Sequence, residues 1–123
     1  MPVRGVRGAI SVEANTAEAI GAATTRLLVA MSEANGIEPA AIISAFFTVT
    51  TDLNAAFPAA AARALGWDDV PLLDAQEIEV PSGMPRVIRV LLHVETDRAR
   101  HQVQHLYLDE AVALRPDLHQ MRR

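Results

Sequence analysis

Two arginines stand in segments that alternate like strands and should be apolar. Arg7 lies in "RGVRGAISVE", residues 4–13, and Arg89 in "RVIRVLLHVET", residues 86–96. Side chains on a strand alternate between two faces. Val6, Ile10 and Val12 therefore share a core-like face, while Arg7 shares the other with Gly5, Ala9 and Ser11. Those small neighbours leave room for something to approach the guanidinium. Arg89 shares its face with Val87 and Leu91. A guanidinium buried there keeps its charge and needs an acceptor. Glu77, one strand earlier across the turn "PSGMP", can supply it. One outcome is a structural Arg–Glu bridge. The other is a polar pocket that an anionic ligand completes. Arg7, Arg89 and Arg63, less Glu77, carry a positive excess that suits a small dianion held by bidentate guanidinium–carboxylate contacts.

Other chemistries find little support. His101 and His105 have the i, i+4 spacing of two metal ligands on an expected helix, but no acidic residue falls between them as in H-E-x-x-H. With only these two ligands suggested, they read as solvated surface histidines. "GVRG" has too few glycines for a dinucleotide fingerprint, and no helix follows it directly. No serine lies in G-x-S-x-G, and none has a convincing His/Asp arrangement. With no cysteine in the chain, disulfides and thiolate chemistry are excluded. Phe57 before Pro58 reads as a staple for a short helix. Tyr107 alternates with Leu106 and Leu108 and reads as a packed aromatic with its hydroxyl satisfied. No nucleophile, metal cage, phosphate loop or cofactor motif emerges, so no cofactor is expected. Catalysis would have to work through binding and electrostatics.

The elements that must position these residues follow from periodicity. A first strand is expected over about Val3–Val12. A helix follows, capped by Asn15 or Thr16, with Ile20, Leu27, Leu28 and Met31 at helical intervals and an end at Asn35-Gly36. "IISAFFTVT" reads as a strand near Ile43–Thr50. Pro58 can open a short helix that Gly66 stops. "VPLLDAQEIEV" reads as a strand, at least from Ala75 to Val80, before the turn. Arg86–Thr96, nearly continuous in Val, Ile and Leu, is expected to be an inner strand covered on both faces. The tail reads as a short helix, a strand around Leu106–Leu108, and turns. The sum is α+β, one mixed sheet packed on one long helix.

At 123 residues the chain is expected to form one domain, 1–123. Half of it is apolar, and a domain this size leaves apolar surface uncovered, so self-association is plausible. The formal charge of −4 with mixed signs argues against nucleic-acid binding. No run approaches a membrane span or a signal-peptide core, which gives the expectation of a soluble cytoplasmic protein without a membrane partner. All 11 basic residues are arginine, and alanine is abundant. Arginine as such is therefore weak support for a guanidinium requirement; its position carries the weight.

Four segments together resemble the AroH class of chorismate mutase, the small trimeric type. They are "RGVRGAISVE", "FTVTTDLNAAFPAAAAR", "VPLLDAQEIEVPSGMPRVIRVLLHVETD" and "HLYLDEAVALRPDL", in family order and spacing over nearly the whole chain. The resemblance implies a mixed five-stranded sheet with one long helix. It also implies a homotrimer with a barrel-like core, and active sites in clefts between subunits. The substrate would be chorismate, and the product prephenate, in aromatic amino-acid biosynthesis.

The same resemblance implies residue roles. Arg7 would bind a substrate carboxylate, Arg89 the ether oxygen and a carboxylate, Glu77 the ring hydroxyl, and Tyr107 the enolpyruvyl carboxylate. Leu114 would help line the cavity. Phe57, Ala59 and Arg63 would come from the adjacent subunit, and Leu72, Leu73 and Asp74 are also implied as substrate contacts. The tail from about 115 resembles the family's mobile C-terminal segment. Two positions depart from relatives. Asp74 stands where they often carry Cys or Ser, so it could raise a pKa near Glu77 or point away. Ala60 stands where some have lysine. The alternatives are an enamine/imine deaminase of RidA-like type, also trimeric with arginine-bearing clefts, and a non-catalytic metabolite-binding trimer.

Overall fold

The computed structural model describes residues 1–115. Five strands form one mixed sheet in the order β3-β2-β4-β1-β5. They are β1 (Val3–Ser11), β2 (Ile42–Val49), β3 (Leu72–Gln76), β4 (Val87–Glu95) and β5 (Leu106–Leu108). β4 is antiparallel to both β1 and β2, while β1/β5 and β2/β3 are parallel. The long helix α1 (Ala17–Asn35) and the short α2 (Pro58–Ala64) cover one face. Ile20, Leu27, Leu28 and Met31 of α1 are fully buried with Val6, Ile10, Phe47, Ile88 and Leu92 of the sheet. Each such side chain contributes about 1.5–3 kcal/mol of burial.

The helix ends follow elementary capping chemistry. Thr16 Oγ1 accepts from Ala19 N at 3.1 Å, and Gly36 closes α1 in the left-handed region at φ 61°. Asn15, the other expected cap, is engaged elsewhere. Its side-chain oxygen accepts from the backbone N–H groups of Asn54 and Ala55, tying the loop before α2 to the start of α1. Pro58 opens α2 as expected, and Gly66 beyond its end lies at φ 91°.

Three expectations are corrected. The third strand runs over Leu72–Gln76, within the expected stretch, and stops short of Val80. Its ladder ends with Glu77 N donating to Val49 O, because β2 leaves the sheet there. Thr50 turns to bond Val87 at both N–H and hydroxyl, so residues 78–80 have no strand to pair with. Second, β4 is an inner strand covered along its whole length on one face only in the single chain. Ile88, Val90, Leu92 and Val94 are buried there, whereas on the other face Val87 is buried but Arg89 and Leu91 are exposed. Third, the expected helix holding both histidines is a three-residue 3₁₀ turn, Arg100–Gln102. His105 lies outside it and accepts the Arg7 backbone N–H at Nδ1, 3.0 Å away, so it is not a merely solvated side chain. Among the described residues no group of His, Cys, Asp and Glu could hold a metal ion. The expectation of a mobile tail falls largely outside the described residues.

After β5 the chain enters a further 3₁₀ segment, Asp109–Leu114, with Asp109 at φ 56°. Arg26 on α1 grips the Asp109 carboxylate at two points, 2.8 and 2.9 Å. That pair holds the Asp109 carboxyl below the usual range. It fixes the segment that carries Leu114 beside Tyr107.

Candidate active site

Cross-strand partners share a face of the sheet. Ala9 pairs with Arg89 on one side and with Tyr107 on the other; Arg7 pairs with Leu91. On β2, Thr48 pairs with Arg89 and Phe46 with Leu91. These residues all rise from the face that neither helix covers. Arg7, Phe46, Thr48, Arg89, Leu91 and Tyr107 line a cavity of about 340 Å³ there. Two charges separated by small side chains are thus placed by β1 and β4 alone, as the alternation around Arg7 and Arg89 requires.

The closeness of Arg7 to the helix layer depends on Gly8, its neighbour on the opposite face. A Cβ at Gly8 would meet Met31 and would lie 3.2 Å from Leu27 Cδ1. The small-residue run around Arg7 therefore has two causes. Gly8 admits α1 on one face, and Gly5 and Ala9 leave space on the other.

Arg89 and Glu77 are in contact, Nε to Oε2 at 3.0 Å. The same oxygen accepts from Thr48 Oγ1 at 2.8 Å. The bridge expected from the sequence therefore exists, but it is not buried: the Arg89 side chain is 44% exposed and that of Glu77 17%. It also does not saturate the guanidinium, since only Nε is used and both terminal nitrogens remain available. Among the described residues no carboxylate pairs with Arg7. Arg89 and Glu77 also line an adjoining hollow of about 390 Å³, walled by residues 77–85 and the Thr50–Asp52 turn. Tyr107 is nearly buried against Ala9, Val87 and Ala111, with Leu114 packed on this cluster. Its hydroxyl has no hydrogen-bond partner among the described residues, so the expected internal partner is not found.

The remaining expected site residues form a second group at the far edge of the sheet, on α2 and β3. Phe57 is 70% and Leu73 56% exposed, so Phe57 does not staple its own helix. Ala59 is buried, and its backbone N–H donates to Asp74 Oδ1 at 3.1 Å. Asp74 thereby caps α2, whose own N-terminal residue offers no side-chain cap. Burial pushes the Asp74 carboxyl up, against the lowering effects of the Ala59 bond and the Arg63 charge. Asp74 points to the helix side of the sheet, with Leu72 beside it in the alternation, and away from Glu77. None of Phe57, Ala59, Arg63, Leu72, Leu73 and Asp74 lines the Arg7–Arg89 cavity within one chain.

Residues 3–118 match the family description "Chorismate mutase type I". The chain belongs to the chorismate mutase type I family. It is 57% identical to Chorismate mutase AroH of Thermus thermophilus over 94% of this chain and 96% of that protein. It is 43% identical to Chorismate mutase AroH of Bacillus subtilis, over 96% and 94% respectively. A solved chorismate mutase from Clostridium thermocellum superposes with a TM-score of 0.88 at 48% identity, covering 89% of this chain and 97% of that one. The chain's function is accordingly that of a chorismate mutase, an isomerase of aromatic amino-acid biosynthesis. Among the described residues no helix is long and apolar enough to cross a membrane.

The cavity side chains of Phe46, Thr48 and Leu91 are not among the site residues expected from the sequence. The period-two pattern of "FFTVT" puts Phe46 and Thr48 on one face, a usable signal. Nothing local says that this face meets Arg89.

Proposed function

We propose that one chorismate mutase domain converts chorismate to prephenate in the cleft bounded by Arg7, Glu77, Arg89 and Tyr107. The reaction is a unimolecular rearrangement in which one C–O bond breaks as one C–C bond forms, so neither a nucleophile nor a proton transfer is needed. Negative charge grows on the ether oxygen in the transition state. The free terminal nitrogens of Arg89 meet that charge, and their benefit is larger there than in the ground state. Arg7 binds a substrate carboxylate, Glu77 accepts from the ring hydroxyl through Oε1, and Tyr107 donates its free hydroxyl to the enolpyruvyl carboxylate. Together they hold the compact reactive conformer, so part of the barrier is met on binding. The observation that carries this reading is the monodentate Arg89–Glu77 contact beside an unpaired Arg7.

The working form is a homotrimer in the cytoplasm, with each cleft closed by Phe57, Ala59 and Arg63 of the adjacent subunit. Two features support this. The α2/β3 group lies at one edge of the sheet, and none of its members lines the cavity within one chain. The uncovered face also exposes Val3, Phe46, Leu73 and Leu91, an apolar patch typical of an association surface. The test is the loss of chorismate's ultraviolet absorbance on adding purified protein without cofactor. Binding without turnover would support a metabolite-binding protein instead.

A further inference from the structure

The carboxylate of Glu77 is held unevenly. Both of its protein donors, Thr48 Oγ1 and Arg89 Nε, converge on Oε2. Oε1 takes no hydrogen bond among the described residues. A carboxylate beside a guanidinium prefers the two-point fork, in which both oxygens are used and a terminal nitrogen is consumed. Here that fork has not formed. Thr48 stands between the partners, on the strand that separates β3 from β4, with Arg89 as its register partner on one side and Ala75 on the other. Its branched side chain has few rotamers, so the hydroxyl is a fixed donor.

We propose that Thr48 is a positioning residue for the mutase reaction. Its hydroxyl pins Oε2, turns Oε1 of Glu77 to the substrate hydroxyl, and keeps Glu77 from forking onto Arg89. The terminal nitrogens of Arg89 stay free for the ether oxygen. This inference rests on the roles proposed above for Glu77 and Arg89.

The experiment is a double-mutant cycle on the full chain, followed by chorismate consumption. Thr48→Val keeps shape and strand preference while removing the donor. It lowers kcat/KM roughly tenfold or more, as expected for losing a hydrogen bond to a charged group. The loss falls largely on kcat, because Arg89 acts in the transition state. Thr48→Ser, which restores the hydroxyl, recovers most of it. In a Glu77→Ala background, assayed at high enzyme concentration, the same Thr48→Val change costs no more than about twofold. Thr48→Ala is the second variant, with the same expectations, should the valine protein fail to fold. An equal loss in both backgrounds would mean a purely structural role and overturns the proposal. So does a Val variant within about twofold of the parent, or a Ser variant no better than Val. A parent protein that leaves chorismate unchanged would instead overturn the functional reading on which the proposal rests.

Discussion

Arg89 and Tyr107 flank one residue: each is the register partner of Ala9, from opposite sides. The two backbones are thus two strand spacings apart, roughly 10 Å, with only the Ala9 methyl on the strand between them. Ala9 is fully buried and forms the floor of that gap. Backbone pairing sets the separation from which the two side chains rise on the same face.

Arg89 is expected to be the least replaceable residue. Arg89→Ala lowers kcat by about 10²–10³ or more, the scale for removing a preorganised oxyanion donor. Arg89→Lys gives little relief, because a point charge cannot hold Glu77 through one nitrogen and present others to the substrate. Steady-state kinetics on chorismate check both. A lysine variant close to the parent would show that positive charge alone suffices.

A shared cleft makes a complementation prediction. Arg7→Ala and Arg63→Ala chains are each poorly active alone. Co-refolded, they generate some clefts in which both arginines are native, and activity partly returns. Confirmed chain exchange with no recovered activity would count against a site built from two subunits.

Gly8→Ala is expected to destabilise the fold by about 1–3 kcal/mol, the cost of overpacking a tight interface. Its Cβ collides with the end of the Met31 side chain and presses on Leu27, and these buried side chains must repack. Denaturant unfolding measures it. Combining it with Met31→Ala should cost less than the sum of the two changes, since the colliding side chain is gone. Strict additivity would place the cause elsewhere.

Asp74 makes stability pH-dependent in a direction opposite to most carboxylates. Burial raises its pKa above the ordinary 3.8 in the folded chain. Between the ordinary value and the raised one, the folded state holds more protons than the unfolded state. Stability therefore falls as pH rises through that window. Asp74→Asn keeps an oxygen for the Ala59 N–H but carries no charge. Unfolding midpoints across mildly acidic pH should fall less steeply in the variant. Identical slopes would mean that Asp74 does not titrate there.

The sequence by itself determined what each segment could be. Period-two alternation put Arg7 among Gly5 and Ala9, and Arg89 with Leu91. Helical spacing and the Gly36 stop delimited α1, and Pro58 and Gly66 bracketed α2. These are local properties, written in consecutive side chains. Which strands lie side by side is not local. Glu77 and Arg89 read as neighbours across the "PSGMP" turn, yet the sheet order inserts β2 between them. That insertion brings Thr48 into the pair, ends β3 where β2 turns away, and aligns Tyr107 with Ala9. It also leaves the arginine face uncovered in the single chain, where the apolar run of β4 had suggested burial on both sides. The physical reason is that strand order is decided by long-range pairing and by the packing of α1 on the whole sheet, and neither leaves a periodic mark on any one segment.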